Sequence, residues 1–223
     1  MNPFSYFCAL NNQNFNHMKN YLVEFIGTFF LVAAIGLTGN PLAIGAMLMV
    51  MVYFGGHISG AHYNPAVTLA ILMRGKIKAN EAIIYMVIQI LGATAGAFFC
   101  MIMKGGHTFA PAPMAGINIL KPLIAEMVFT FALASVVLNV ATHSKTAGNS
   151  FYGLAIGFTV LASAFCVGGI SGGAFNPAVG IGPILVDTIN GGDSMKNIWI
   201  YIVGPFAGAA IAAIVFKVIN PEE

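Results

Sequence analysis

Ser59-Gly60-Ala61-His62-Tyr63-Asn64-Pro65-Ala66-Val67 returns as Ser171-Gly172-Gly173-Ala174-Phe175-Asn176-Pro177-Ala178-Val179, in a chain that is 58% hydrophobic and 7% charged. Small residues followed by Asn and Pro form a helix start: Asn accepts bonds from the exposed amides and Pro occupies the first helical position. The apolar stretches after each start, 65–73 and 177–188, are too short to cross a bilayer, which takes roughly 20 apolar residues. They predict two half-helices that begin inside a membrane. Irregular backbone at that depth is tolerated only where it is buried or lines a cavity. The Gly-rich approaches (Gly55, Gly56, Gly60; Gly168, Gly169, Gly172, Gly173) are expected to permit the close packing this needs.

Longer apolar stretches fall near 21–37, 41–57, 82–103, 120–141, 151–168 and 197–219. Six spans consume about 120 of the residues, leaving only short loops and the two half-helices. An all-α membrane protein with one channel domain over 20–223 is expected, preceded by a polar Asn-rich extension at 1–19 without the pattern of a cleavable signal. Cys8, Cys100 and Cys166 are isolated and suggest neither a metal site nor a disulfide framework. A net charge of +2 argues against a nucleic-acid partner.

The two halves resemble each other beyond the Asn-Pro-Ala frames. Leu22-Val23-Glu24-Phe25-Ile26-Gly27-Thr28-Phe29 pairs with Ile124-Ala125-Glu126-Met127-Val128-Phe129-Thr130-Phe131, and Ile90-Leu91-Gly92-Ala93-Thr94-Ala95-Gly96-Ala97 with Pro205-Phe206-Ala207-Gly208-Ala209-Ala210-Ile211-Ala212. Repeat 1 covers about 20–104 and repeat 2 about 120–219. Three spans per repeat invert the second copy, so the half-helices enter from opposite faces and meet in the middle. With both termini cytoplasmic, Lys19, Arg74, Lys76, Lys78, Lys145 and Lys217 lie inside against Lys104, Lys121 and Lys196 outside, the expected bias.

Each half-helix start carries about +0.5 elementary charge from its unpaired amides. Two facing starts repel cations, and Asn64 and Asn176 are each expected to aim an N–H into a lumen. Water accepts from both through its oxygen and turns its hydrogens away, which breaks a proton wire. Glu24 and Glu126 lie inside spans, where an ionisable group costs about 2.5–3.5 kcal/mol on insertion scales. They read either as proton relays or as buried acceptors for the loop backbones, and two matched acids suit the second role. His57 and His62 are candidates for a pH gate or for loop anchors, the anchor being preferred; His107 reads as a solvated loop residue.

The frames His57-Ile58-Ser59-Gly60-Ala61-His62-Tyr63-Asn64-Pro65-Ala66-Val67-Thr68 and Ser171-Gly172-Gly173-Ala174-Phe175-Asn176-Pro177-Ala178 resemble the two signature loops of the aquaporin (major intrinsic protein) family, as do Glu24, Gln89 and Gly204-Pro205. The resemblance spans about 20–219. It implies six tilted helices around an hourglass pore, homotetramers in the lipid bilayer, no cofactor, and loop bracing by Glu24 and Glu126. It also implies a selectivity filter at Ile44, Ala164, Gly173 and Val179. Water-selective members place Arg where Val179 stands, and Arg74 is the single arginine of the chain, in a polar turn far along the sequence. Asn-Pro-Ala-Val with Gly182-Pro183 is similar to some plant tonoplast intrinsic proteins. Gly180 departs from the Asp of glycerol facilitators, and Tyr201-Ile202 mixes the subgroup patterns.

Arg at a filter narrows the lumen and adds fixed donors and a positive charge. Val179 removes all of these, and Ala164 and Gly173 make room, so the expected function is a passive channel for water and small neutral solutes: ammonia, urea, hydrogen peroxide and, less favoured, glycerol. A substrate-coupled transporter using Glu24 and Glu126 is the alternative, because such proteins also use broken helices. A structural tetramer joining membranes finds little loop to work with. No nucleophile–base pair or metal cluster in the sequence points to an enzyme.

Overall fold

A computed structural model describes residues 17–223; the expected extension at 1–19 lies almost wholly outside these, as does Cys8. Among the described residues, six helices are long and apolar enough to cross a membrane. They are α1 (Pro3–Thr38, described from His17), α2 (Pro41–Ser59), α4 (Ala79–Met103), α5 (Leu120–Thr142), α6 (Tyr152–Ser171) and α8 (Ile200–Ile219). Two short helices, α3 (Pro65–Met73) and α7 (Pro177–Ile189), begin at the two Pro residues that follow Asn64 and Asn176.

The exterior is far more apolar than that of a protein folded in water, and a few polar groups are buried within the hydrophobic core. Glu24, Gln89 and Glu126 are fully buried, whereas Phe165 is 67% and Val218 73% exposed. The apolar exterior faces lipid and the polar groups face one another. The chain is an integral, multi-pass membrane protein.

Without a hydrophobic force between helices in lipid, close approach relies on small residues. A side chain at Gly92 would come within 2.5 Å of the Phe25 carbonyl oxygen, and one at Gly208 within 2.1 Å of that of Met127. These contacts join α1 to α4 and α5 to α8. Glu24 and Glu126 align Phe25 with Met127, so Gly92 is the counterpart of Gly208. The pairing read from sequence set Gly92 against Ala207, one residue out of register, because a run of small residues offers several similar alignments. Gly45 and Gly157 form a third crossing, α2 on α6, where a side chain on either meets the other's carbonyl oxygen at 2.7 and 2.5 Å. Gly168 and Gly169 depart from expectation. A side chain there meets nothing within 4 Å, since both line a cavity rather than a helix contact.

Six spans put the start of α1 at His17 and the end of α8 on one face, here called the terminal face. Arg74, at the end of α3, is not in an open polar turn: its guanidinium binds Glu223 Oε2 (2.7 Å) and the Glu223 carbonyl (2.9 Å) and lies 5.0 Å from the centre of the Phe216 ring. The Ser144 amide and hydroxyl also donate to Glu223 and hold its carboxyl below the usual range.

Gly208→Val is expected to destabilise the fold by about 1–3 kcal/mol or more, because it drives a methyl into backbone. Gly168→Ala should stay within about 0.5 kcal/mol. Thermal unfolding in detergent separates the two, and equal melting temperatures would contradict the crossing.

Candidate pore and its braces

Each approach loop ends its preceding helix with a left-handed glycine, Gly60 (φ 87°) after α2 and Gly172 (φ 92°) after α6. Three residues later the backbone turns left-handed again at Tyr63 and Phe175, both at φ 49°. A bulky residue there carries strain of order 1–3 kcal/mol and persists only when its surroundings over-determine it.

Two carboxylates do so. Glu24 Oε1 accepts from Ser59 Oγ (2.7 Å) and the His62 amide (3.0 Å), and Oε2 from the Tyr63 amide (2.7 Å) and Gln89 Nε2 (2.8 Å). In the second half, Glu126 Oε1 accepts from Ser171 Oγ (2.7 Å) and the Ala174 amide (3.0 Å), and Oε2 from the Phe175 amide (2.6 Å). Tyr85 and Tyr201 complete the symmetry by donating to the Ser59 and Ser171 carbonyls at 3.0 and 2.5 Å. The sequence reading quoted both serines within the repeated frames without assigning them a role. Tyr85 was missed, and Tyr201 entered only as a subgroup marker. The tyrosine pair emerges only in the register that matches Gly92 with Gly208, each seven residues after its Tyr, and the sequence pairing was one residue out of that register.

The half-helix starts are tied together across the repeat. Asn64 Oδ1 accepts from the Ala66 amide (2.8 Å), and its Nδ2 donates to the Phe175 carbonyl (2.9 Å). Asn176 Oδ1 accepts from the Ala178 amide (2.9 Å), and its Nδ2 donates to the Tyr63 carbonyl (2.8 Å). One amide hydrogen of each Asn is therefore spent on the opposite loop, which leaves one rather than two for a lumen.

Asn64 and Asn176 both line a cavity of about 310 Å³ through the middle of the molecule. Ile44, Ala164, Gly173 and Val179 line the same cavity, so all four residues expected at the filter are brought to one passage. Gly173 and Val179 also border a second cavity, which opens on the face away from the termini. His62 lines the central cavity and a mouth on the terminal face, with Nδ1 3.1 Å from Thr68 Oγ1. His57 borders another recess on that face. His107 is exposed. No cluster of His, Cys, Asp or Glu able to hold a metal occurs among the described residues.

Six spans enclosing two opposed half-helices and a polar-centred passage define a membrane channel of the aquaporin fold. A family model described as Major intrinsic protein matches residues 12–216. Aquaporin NIP1-4 of Oryza sativa subsp. japonica is 37% identical over 221 residues, covering 93% of this chain and 79% of that protein. Aquaporin AqpM of Methanothermobacter marburgensis is 33% identical over 242 residues, covering 92% and 98%. The solved aquaglyceroporin from Plasmodium falciparum superposes with a TM-score of 0.81 over 92% of this chain and 98% of that one, at 23% identity, a likeness of fold alone. The chain belongs to the major intrinsic protein family, whose members are channels. Relatives of plant and archaeal type are both close in identity, so the tonoplast-type likeness is not singled out.

Glu126→Ala leaves Ser171 Oγ and the Ala174 and Phe175 amides without their acceptor, at about 1–3 kcal/mol for each buried donor. The expected result is a folded yield or melting temperature far below that of Glu126→Gln, which keeps one carbonyl oxygen. Indistinguishable stabilities would remove Glu126 from the brace.

Proposed function

We propose that this protein is a passive channel for water and small neutral solutes, with a wide apolar filter formed by Ile44, Ala164, Gly173 and Val179. The carrying observation is that these four residues border one passage together with Asn64 and Asn176. Val179 is the second residue after the Pro that opens α7, so it stands beside the half-helix start. Water and solutes of the size of ammonia, urea or hydrogen peroxide pass; glycerol belongs in the same test. Selection rests on diameter and on the few hydrogen-bonding groups of the wall.

Asn64 and Asn176 orient water in mid-passage with their remaining amide hydrogens, and the two helix starts supply positive potential there. The basic-residue bias supports a cytoplasmic terminal face, with Lys104, Lys121 and Lys196 outside. The family likeness supports a homotetramer, and His57 and His62 are the candidates for control on the cytoplasmic side. A coupled transporter finds no support, because Glu24 and Glu126 are committed to loop donors on both oxygens.

Proteoliposomes compared for water, ammonia, urea, glycerol and hydrogen peroxide flux test the reading, and rates equal to protein-free vesicles would overturn it. Val179→Arg should lower urea flux by about tenfold or more, an added barrier of about 1.4 kcal/mol, while water flux falls far less. Equal losses for both solutes in a folded variant would take Val179 out of the constriction.

A further inference from the structure

Removing Arg from the filter widens the passage and also removes a fixed cation from it. The mouth just beyond the filter restores one. A cavity of about 510 Å³ on the face away from the termini is bordered by Gly173 and Val179 at its inner end and by Lys104 at its side. The rest of its wall comes from the end of α1 with Gly39, from residues 109–112 and from Gly172. Lys104 is the one charged side chain among the described residues that border it.

The ammonium is held in place. Lys104 Nζ donates to the Gly36 carbonyl at 3.1 Å. Gly36 lies in the last turn of α1, where carbonyls lack helix partners. The amide that would normally satisfy it belongs to Asn40, and that amide donates instead to Thr38 Oγ1 (3.1 Å). The orphan carbonyl and the negative end of the helix dipole thus favour a cation at this spot. The surrounding wall is also tied down. The Phe109 ring lies where a side chain on Gly36 would project, Thr108 Oγ1 donates to Asp187 Oδ1 (2.7 Å), and the Met114 amide donates to the Ile170 carbonyl (3.0 Å).

We propose that Lys104 is a specificity-determining residue of this channel: its ammonium, fixed on the Gly36 carbonyl at the mouth, excludes small cations that the wide filter would otherwise admit by size. The inference rests on the reading of the passage as a wide neutral-solute pore. Lys104 is exposed at this mouth, so its ammonium repels an approaching cation over a distance set by the screening length of the solution. A neutral solute pays no such penalty. The solutes that discriminate best are therefore those matched in shape and different in charge.

Urea and guanidinium are such a pair, both planar and centred on a three-coordinate carbon. Their permeabilities are measured in proteoliposomes containing the full chain, as wild type, Lys104→Met and Lys104→Arg. Lys104→Met is expected to raise the guanidinium-to-urea permeability ratio by about three- to tenfold, and Lys104→Arg to return it to the wild-type value. Raising ionic strength from 0.01 to 1 M shrinks the screening length from about 30 to 3 Å, so the wild-type ratio should climb with salt and the Lys104→Met ratio should change much less. A Lys104→Met ratio equal to wild type, in vesicles that pass urea, overturns the role of Lys104 alone. So does a wild-type ratio insensitive to salt. Wild-type vesicles that pass no urea overturn the wide-pore reading itself, and with it the need for a charge at the mouth.

Discussion

Two short loops of irregular backbone lie in the middle of an apolar body, and their amides have no helix to bond to. In hydrocarbon each unsatisfied group costs several kcal/mol. Glu24 and Glu126 meet that demand by accepting from both loops through every carboxylate oxygen. Burying an acid in a span is itself unfavourable. Each member of the arrangement is tolerable only because the other is present. The strained Tyr63 and Phe175 belong to the same balance. Their amides bind the acid of their own half, and their carbonyls bind the Asn of the other.

This reciprocity fixes where α3 and α7 begin, and therefore where two positive helix ends and two amide groups face the passage. The side chains of Ile44, Ala164 and Val179 take no part in the brace. In the proposed reading, the width of the passage at these residues is thereby separated from the integrity of the centre. The charge at Lys104 rests on a different support, a helix-end carbonyl outside the brace. Barrier and filter are built from parts that can change one at a time.

The helices were legible because their signals are local. Asn64-Pro65 and Asn176-Pro177 predict the starts of α3 and α7 to the residue, and runs of apolar residues separate the six spans. The passage residues were legible through the family resemblance, and the structure gathers all four around one cavity. Other features escaped because they depend on partners far along the chain. The bond from Asn64 to the Phe175 carbonyl joins the two repeated frames across 111 positions of the chain, and their likeness does not show that they touch. The alignment of Gly92 with Gly208 is blurred by surrounding alanines and glycines, and only the backbone contacts on Phe25 and Met127 resolve it. Gly168 and Gly169 look in sequence like the glycines of a tight crossing, yet they border open space. Arg74 reads as a turn residue until Glu223 and Phe216 are found beside it.

By itself the sequence determined that the chain spans a membrane, that it is a doubled and inverted unit, and that two helices start where hydrocarbon forbids free amides. Hydrophobicity, Pro geometry and Asn capping act over a few residues, and so they are written along the chain. Tertiary structure alone decided how the loops are satisfied, which amide hydrogen each Asn keeps for the passage, and where Lys104 is anchored at the mouth away from the termini. Those outcomes are hydrogen bonds between distant segments, and their geometry exists only once the two halves have packed against each other.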